Sequence, residues 1–450
     1  MIEGIVLENF LSFKNKIEFD FTATMEKPRK GYEFMKWYED IHRKKILKFQ
    51  FLFGNNATGK SNFIIALTTL KKIVCERKTS KSDDNQIPDS YFKLSSETIE
   101  KPSYITVTFH TGDSRYIYSV GFCNNIILEE SLDRQTGTRK KIELFKRTFN
   151  EEKDIVEITF PANVIKEDAQ TIIKQTVIKN TSVISIYDEK NFESQDLKNV
   201  YLYFENLSVF YNYDEISLPS MFNNRKDKES LKQILIPLLK DLGSNILDYE
   251  LNYFNVKLDE SEAKFYKQLL GEEDFSKQFP NSERKVQTIR FAHHSDTPSK
   301  VSWLNESEES VGTLNMIRLI IMLYDTSKRK APLAIDECAT GIHQQTFGRI
   351  IQFFLSTSNA MQIFMTSQQV SIMEMEGFRR DTVKFFDKNR ETGVTSCARI
   401  NLRKYHKNQS IVNAYLNNSF GCLPEFPDLD TWKEHLKVYK EQMQHLTNNV

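Results

Sequence analysis

The sequence predicts an α/β fold built around a nucleotide-binding loop, and two observations carry this prediction. Residues 54–61 read Gly-Asn-Asn-Ala-Thr-Gly-Lys-Ser and fit the phosphate-loop pattern G-x-x-x-x-G-K-[ST] at every fixed position. Residues 331–337 form a short apolar run that ends in Asp336 and Glu337. A P-loop after one buried strand and acids after another are typical of P-loop nucleotide-binding domains.

The residues on both sides of the loop support this interpretation. Ile46–Phe53 becomes fully apolar toward its end and predicts a buried strand, whereas Phe63–Leu70 places apolar residues at helical spacing. Strand, loop and helix then follow one another in the order that a P-loop requires. The alternative, a chance glycine loop with a surface lysine, leaves both flanks unexplained.

Each part of the loop has a predicted role in binding ATP. Gly54 and Gly59 let backbone N–H groups turn toward phosphate oxygens at a helix N-terminus, where the helix dipole favours negative charge. Lys60 is expected to reach the β- and γ-phosphates, and Ser61 to ligate Mg²⁺. The predicted nucleotide-binding residues of this loop are Gly54, Asn55, Asn56, Ala57, Thr58, Gly59, Lys60, Ser61 and Asn62.

Length and composition describe an ordinary globular protein. The chain has 450 residues, 27% charged and 40% hydrophobic, so it has room for two or three domains. Lysine plus arginine balance aspartate plus glutamate at 61 each, so nucleic-acid binding would need a local basic patch. The cysteines form no C-x-x-C pair, which argues against zinc and a disulfide scaffold. No basic leader and no membrane-length apolar run occurs, so a cytoplasmic protein without membrane contact is expected.

The remaining patterns predict strands first and helices later. Residues 2–22 predict two strands joined by a turn, and residues 104–147 predict an antiparallel sheet continuous with them. Residues 286–292 and 301–304 have strand character. From 161 to 290 the pattern is otherwise mainly helical, with apolar residues of Ser230–Leu242 at helical spacing before Gly243. A helical insertion is predicted there, whose apolar stripes either pack against the same chain or form an oligomer surface.

The acidic pair has the form of a Walker B segment. Asp336 is expected to hold Mg²⁺ through water, and Glu337 to polarise the attacking water. Ser61 and Asp336 are 336 − 61 = 275 residues apart, far more than a compact P-loop domain uses. A large insertion therefore separates the two halves of one nucleotide site.

This division into a P-loop half and an acidic half resembles ABC-type ATPases of the SMC and Rad50 kind. Such ATPases carry a signature loop before the Walker B strand. Glu309–Thr313 stands at that place, and its Ser310 and Gly312 match the serine and second glycine of L-S-G-G-Q. In that family the signature loop of one subunit caps the γ-phosphate bound by another, so the resemblance implies at least a homodimer.

Further motifs resemble OLD-like ATPases. Cys338–His343 stands at the D-loop position, in a form similar to D-E-x-x-x-x-L-H with His343 as its histidine. After the apolar run 361–365 that family usually has a histidine where this chain has Gln368. Glutamine can hydrogen-bond a γ-phosphate but cannot take up a proton near pH 7, so slow turnover is expected. Gln86 is the candidate for the Q-loop glutamine.

The strand pattern through Arg147 and the segment 410–424 resemble bacterial AAA/OLD-like proteins, including the ATPase subunits of phage-defence systems of the PARIS, AbiL and RloA type. That resemblance implies a homo-oligomeric ATPase that uses ATP and Mg²⁺, senses a phage-encoded trigger and controls a separate toxic effector protein from a neighbouring gene. OLD nucleases carry a further TOPRIM domain. The 450 − 368 = 82 residues after Gln368 are too few for one, so no nuclease is expected.

The combined prediction is an α/β, ABC-type (SMC/Rad50-like) P-loop ATPase with an antiparallel β-subdomain and a helical insertion. Its predicted parts are an N-terminal ATPase lobe at 1–160, the insertion at 161–290, a C-terminal ATPase lobe at 291–400 and a helical tail at 401–450. Glu337, Lys60 and Gln368 are the predicted catalytic residues. Two alternatives stay open: a Rad50/RecF-like DNA-repair ATPase, and a scaffold that binds ATP with little hydrolysis.

Overall fold

A computed structural model gives the fold of the chain. It describes residues 1–27, 30–76, 87–137, 139–188, 191–223, 225–296, 300–357, 361–400, 410–423 and 428–447. Gln86, the candidate Q-loop glutamine, lies outside these residues.

Within the described ranges, five strands precede the first helix, five more follow it, and the later part of the chain mixes helices and strands. The strands are β1 (Ile2–Glu8), β2 (Ile17–Asp20), β3 (Tyr38–Ile41), β4 (Lys44–Leu47), β5 (Phe49–Gly54), β6 (Ser103–Thr111), β7 (Ser114–Cys123), β8 (Ile126–Thr136), β9 (Ile142–Asn150), β10 (Ile155–Thr159), β11 (Ser208–Phe210), β12 (Ile246–Lys257), β13 (Glu283–His294), β14 (Val301–Asn305), β15 (Pro332–Ile335), β16 (Gln362–Ser367), β17 (Val383–Lys388) and β18 (Thr395–Arg399). The helices are α1 (Lys60–Cys75), α2 (Glu167–Thr176), α3 (Gln195–Glu205), α4 (Leu218–Phe222), α5 (Lys228–Asp241), α6 (Glu260–Leu270), α7 (Glu272–Gln278), α8 (Val311–Arg329), α9 (Gln344–Thr357), α10 (Ile411–Leu416) and α11 (Leu429–Thr447). Among the residues described, no helix is both long and apolar enough to cross a membrane.

A six-stranded sheet in the order β11-β15-β16-β5-β17-β18 lies at the centre of the fold. β11, β15, β16, β5 and β17 run parallel to one another, and β18 is antiparallel to β17. Only β16 separates β5, which leads into the P-loop, from β15, which leads into the acidic pair. Because parallel strands end at the same edge of a sheet, the segments after β5, β15 and β16 meet there.

Both faces of the central sheet are covered, which explains why β15 is wholly apolar and why β5 is buried along its whole length. Alternate residues of β5 point to opposite faces, so Phe49, Phe51 and Phe53 join one hydrophobic core and Leu52 joins the other. Residues of α5, α8 and α9 fill the first core. Residues of α1, α3 and a second sheet fill the other. The central sheet is therefore sandwiched between two layers, as expected for an α/β domain.

The second sheet is antiparallel and has seven strands, in the order β10-β9-β8-β7-β6-β1-β2. β1 pairs with both β2 and β6, so the N-terminal strands are continuous with the later ones, as predicted. Buried and partly exposed residues alternate along β6 and β7, which is typical of a sheet with one face on a core. The predicted antiparallel β-subdomain is confirmed.

The segment from 161 to 290 contains strands as well as helices. The helix predicted over Ser230–Leu242 is α5, and Gly243 follows it with a φ of 88°. The segment also contributes β11 to the central sheet, and its β12 and β13 form a three-stranded sheet with β14, in the order β12-β13-β14. β12 alternates polar and apolar residues from Asp248 to Tyr253, a strand pattern that the helical prediction for this segment did not take into account. β13 and β14 lie where strand character was predicted, at 286–292 and 301–304. The four-part division of the chain stays a prediction.

The strand predicted over 46–53 is interrupted at Lys48. β4 ends before this residue and pairs with β3, whereas β5 begins after it and joins the central sheet. The Lys48 side chain is buried, and its Nζ donates a hydrogen bond of 2.8 Å to the carbonyl oxygen of Leu355. The strand that delivers the P-loop is therefore β5 alone.

A buried ion pair ties the antiparallel sheet to the loop after α2. The side chains of Glu130 and Arg147 are both 0% exposed, and their charged groups lie 3.9 Å apart. Glu130 also accepts hydrogen bonds from the Tyr118 hydroxyl (3.0 Å), the Ser182 hydroxyl (2.6 Å) and the Val183 N–H (3.0 Å). Burial raises the pKa of Glu130 and lowers the pKa of Arg147, while each charge opposes the shift of the other. Removing either charge alone would therefore lower the free energy of unfolding, because the other charge would stay buried without its partner.

Arg147→Met is expected to destabilise the fold by about 3–5 kcal/mol, because it leaves the Glu130 charge buried without its partner. The double variant Glu130→Gln/Arg147→Met should recover part of that loss, since no charge remains. Both variants still remove the donor to the backbone carbonyl oxygens that the Arg147 guanidinium contacts, those of Ile127, Ile178 and Lys179. Lys166→Met is the matched control, because Lys166 and its partner Glu193 are 68% and 89% exposed. Thermal unfolding followed by circular dichroism compares the variants. Equal midpoints for Arg147→Met and Lys166→Met would contradict this role of the pair.

Candidate nucleotide site

The P-loop joins β5 to α1 in a conformation that needs its two glycines. A side chain at Gly54 would place a Cβ only 2.5 Å from the carbonyl oxygen of Phe386 in β17. Gly59, the residue before α1, has a φ of 99°, and a Cβ there would lie 2.6 Å from Thr395 Oγ1. Close packing thus requires glycine at both positions, and the left-handed backbone also requires it at Gly59.

Two residues from elsewhere in the chain brace the loop. Thr395, the first residue of β18, donates its hydroxyl to the carbonyl oxygen of Thr58 at 2.9 Å. Its backbone N–H donates to the carbonyl oxygen of Ser12 at 2.8 Å, and Ser12 Oγ accepts from Asn62 Nδ2 at 2.6 Å. Neither Thr395 nor Ser12 belongs to a P-loop pattern, so no signal in the sequence identified them.

Lys60 is folded back onto its own loop. Its Nζ donates to the carbonyl oxygens of Gly54 at 2.9 Å and Asn55 at 2.6 Å. Burial lowers the pKa of Lys60, and the carboxylates of Glu337 and Asp336 oppose this shift. Together with the strand order β15-β16-β5, this places the P-loop lysine and the two predicted Walker B acids at the same edge of the central sheet.

A threonine in β16 organises the acidic pair. The Thr366 hydroxyl donates to Asp336 Oδ1 and accepts the backbone N–H of Glu337 at 2.8 Å. Glu337 has a φ of 50°, a left-handed conformation that costs a non-glycine residue of order 1–3 kcal/mol and is concentrated at functional sites. Gln368, directly after β16, donates its Nε2 to Glu337 Oε1 at 2.9 Å. The predicted catalytic acid is therefore held by its backbone and contacted by the predicted switch glutamine.

Tyr211 is a further residue at this edge that sequence reasoning missed. It follows β11 directly, and its hydroxyl shares a hydrogen bond of 2.6 Å with Thr68 Oγ1 in α1. Burial raises the pKa of Tyr211, the bond with Thr68 opposes this shift, and the charge of Asp336 adds to it. Tyr211 thus stands between the P-loop helix and the acidic pair.

The oxygen donors of the site fit Mg²⁺ held jointly with a nucleotide. Mg²⁺ takes oxygen ligands, keeps several waters and usually binds through one or two carboxylates plus substrate phosphates. Asp336 supplies a carboxylate, and Ser61 supplies an exposed hydroxyl in the first turn of α1. Among the residues described, no group of three or more His, Cys, Asp or Glu side chains could hold a metal by itself. The donor set therefore suits a shared metal and not an all-protein metal centre.

A cavity of about 620 Å³ opens beside the P-loop. Asn55, Asn56, Ala57 and Thr58 line one side of it, and the turn 387–391 lines another. Its volume is typical of small-molecule pockets. Lys60, Ser61 and the acidic pair are not among its described lining residues, so this cavity borders the outer side of the loop and not the predicted phosphate contacts.

Ser310, Gly312 and His343 come together at a second place. Ser310 caps α8, its Oγ accepting the N–H of Thr313 at 3.0 Å. A Cβ on Gly312 would lie 2.5 Å from the carbonyl oxygen of Gly341, so the signature loop rests directly on the D-loop. All three predicted residues line a cavity of about 410 Å³, and none of its described lining residues belongs to the P-loop. The signature residues are thus assembled apart from the phosphate-binding loop of the same chain.

Thr366→Val is expected to lower ATP turnover by about 10- to 100-fold, because it removes a hydroxyl that bonds both to the Asp336 carboxylate and to the Glu337 backbone. Thr366→Ser is the matched control, since it keeps the hydroxyl. Phosphate release at saturating ATP, with thermal unfolding to check the fold, measures the difference. Equal turnover in the two variants would show that the hydroxyl does not organise the acids.

Comparisons with known proteins extend over most of the chain. The family model described as "AAA domain, putative AbiEii toxin, Type IV TA system" matches residues 49–374. No curated protein matches the sequence.

Several solved structures are similar to this chain. One is the SMC head domain from Thermotoga maritima, at 12% identity over 89% of this chain and 99% of that chain, with a TM-score of 0.42. An SMC head bound to the C-terminal winged-helix domain of ScpA matches at 11% identity over 90% and 98% of the two chains, with a TM-score of 0.40. The recombination mediator RecF with ATPrS matches at 13% identity over 88% and 98%, with a TM-score of 0.36.

Proposed function

The chain belongs to the AAA-domain family whose model matches residues 49–374, and from this premise we propose that it is an ATP-hydrolysing switch. The observation that carries the proposal is the convergence of Lys60, Asp336, Glu337 and Gln368 at one edge of the central sheet. A phosphate-binding loop, a carboxylate suited to Mg²⁺ and a second carboxylate that can orient water are the parts that phosphoryl transfer to water requires.

Each residue has a defined task in this proposal. Lys60 exchanges the carbonyl oxygens of Gly54 and Asn55 for the β- and γ-phosphates, which are stronger partners for an ammonium group. Mg²⁺, when bound, neutralises phosphate charge, with Asp336 and Ser61 to hold it. Glu337 accepts a hydrogen bond from the attacking water. Gln368 positions Glu337 but cannot take up a proton near pH 7, which supports slow turnover.

The proposal includes assembly of at least two copies across the nucleotide. The separation of the signature residues from the P-loop supports this, because no P-loop residue is among the described residues that line the cavity of Ser310, Gly312 and His343. Ser310 hydroxyl, Gly312 N–H and the N-terminus of α8 are groups that suit a γ-phosphate presented by a second copy. ATP binding would then close a dimer, and hydrolysis would open it.

The consequence of the switch is proposed to be control of a separate toxic effector in antiphage defence, released by a phage-encoded trigger. The family description, which names a toxin and a type IV TA system, supports this setting. The equal numbers of acidic and basic residues give no general affinity for nucleic acid, so defence is favoured over DNA repair. ATPase activity that rises steeply with added duplex DNA would favour repair instead.

Lys60→Ala and Glu337→Gln are expected to fail in different ways. Lys60→Ala should weaken ATP binding by about 10- to 100-fold, since a charged hydrogen-bond donor is lost. Glu337→Gln should bind ATP as wild type does but hydrolyse it about 10²- to 10⁴-fold more slowly, since the base is lost. Lys72→Ala, in the last turn of α1, is the matched control. Equilibrium ATP binding and phosphate release separate the two effects.

The proposed catalytic roles would be contradicted by either of two results. The first is a Lys60→Ala variant with the ATP affinity and turnover of Lys72→Ala. The second is a Glu337→Gln variant with wild-type turnover.

A further inference from the structure

The C-terminal helix α11 carries an exposed apolar stripe with coiled-coil spacing. Its members are Leu429, Trp432, Leu436, Tyr439 and Met443, which follow one another at intervals of three, four, three and four residues. This alternation is the a and d pattern of a heptad repeat. The side chains are 75%, 52%, 43%, 60% and 47% exposed in the same order. From Leu429 to Tyr439 a continuous seam of large apolar groups therefore faces solvent along the helix.

Nothing in the part of the chain that the structure describes covers this seam between residues 428 and 442. The hydrogen bonds and ion pairs found there join these residues only to one another, as in the N-cap bond from the Thr431 N–H to Asp428 and the Lys433–Asp430 pair. Exposed apolar patches on a helix mark interaction surfaces. The exposed seam of α11 is therefore a candidate binding surface for another molecule.

We propose that the occupant is α11 of a second copy of this chain, in a parallel coiled coil. The charge of the helix supports a protein occupant over a lipid surface or nucleic acid, both of which attract basic helices. Its acidic and basic residues are equal in number, namely Asp430, Glu434 and Glu441 against Lys433, Lys437 and Lys440.

The residues beside the seam favour the parallel orientation. With Leu436 at position a, Lys433 and Lys440 occupy e positions. Asp428, the N-cap residue directly before α11, stands where the g position before Lys433 falls, and His435 occupies the g position before Lys440. In a parallel pair, e of one helix faces the preceding g of the other, so Lys433 of each copy meets Asp428 of the other. In an antiparallel pair with Leu436 opposite Tyr439, Lys433 would instead meet Lys440, and like charges would repel.

This pairing goes beyond the proposed switch because it does not need ATP. Two copies joined through α11 would hold their nucleotide sites at a high effective concentration, so that closure across ATP becomes an intramolecular step. The helix is short, which makes the pair reversible and leaves the heads free to open after hydrolysis.

Sedimentation of the full chain without nucleotide, in a concentration series through the micromolar range, tests the proposal. Wild type and Lys60→Ala are both expected to form dimers, because α11 pairing is independent of the P-loop. Trp432→Glu/Leu436→Glu should shift the chain to monomer, since it places charges in the seam. Val438→Glu is the matched control, because Val438 is 53% exposed but lies off the seam. Unchanged thermal midpoints show that the variants fold.

The proposal is overturned if wild type stays monomeric throughout the series, or if Trp432→Glu/Leu436→Glu dimerises as Val438→Glu does. Binding of wild type, but not of the double variant, to phosphatidylglycerol vesicles would assign the seam to membranes and overturn it as well. Orientation has its own test. Leu429→Cys should give a disulfide-linked dimer on oxidation that wild type does not, and absence of that product would overturn the parallel arrangement.

Discussion

The parallel pairing of β16 with both β5 and β15 is the constraint on which the site depends. Ser61 and Asp336 are 336 − 61 = 275 residues apart. The parallel pairing brings the ends of β5 and β15, which precede these residues, to a common edge of the sheet. Thr366 in β16 depends on this pairing to position both acids, because its hydroxyl forms hydrogen bonds to the side chain of Asp336 and the backbone of Glu337. A shift of one residue would turn Thr366 to the opposite face and release both acids.

The parts of the site that could be predicted from sequence are those whose geometry is local. The P-loop is specified within eight residues by the need for glycine at two close approaches, so Gly54, Gly59 and Lys60 are evident from their spacing. Thr366, Thr395 and Tyr211 act through contacts with residues far away in sequence. A lone threonine or tyrosine carries no signal of such a contact, and only the assembled sheet reveals it.

In the fold, too, most elements marked by a local sequence pattern were predicted, whereas contacts between residues far apart in sequence were not. The antiparallel sheet was predictable because its strands alternate apolar and polar residues and are joined by turns. β13 and β14 lie where residues 286–292 and 301–304 have strand character, whereas β12 was missed although it alternates polar and apolar residues from Asp248 to Tyr253. The buried Glu130–Arg147 pair has no local signature, although both side chains are 0% exposed. The seam of α11 differs from this pair, because its heptad pattern is visible in the local sequence whereas its proposed partner is a second copy of the chain.

The central claim is that the signature loop of one copy completes the nucleotide site of another. The most direct test is the ATPase activity of mixed dimers of Lys60→Ala and Ser310→Arg chains, co-expressed with two different tags and purified through both. One site of such a dimer carries both lesions and the other carries neither, so activity should recover to about half that of wild type, far above either parent. Mixed dimers that form yet are no more active than the parents would contradict the claim and leave Ser310 as a helix cap.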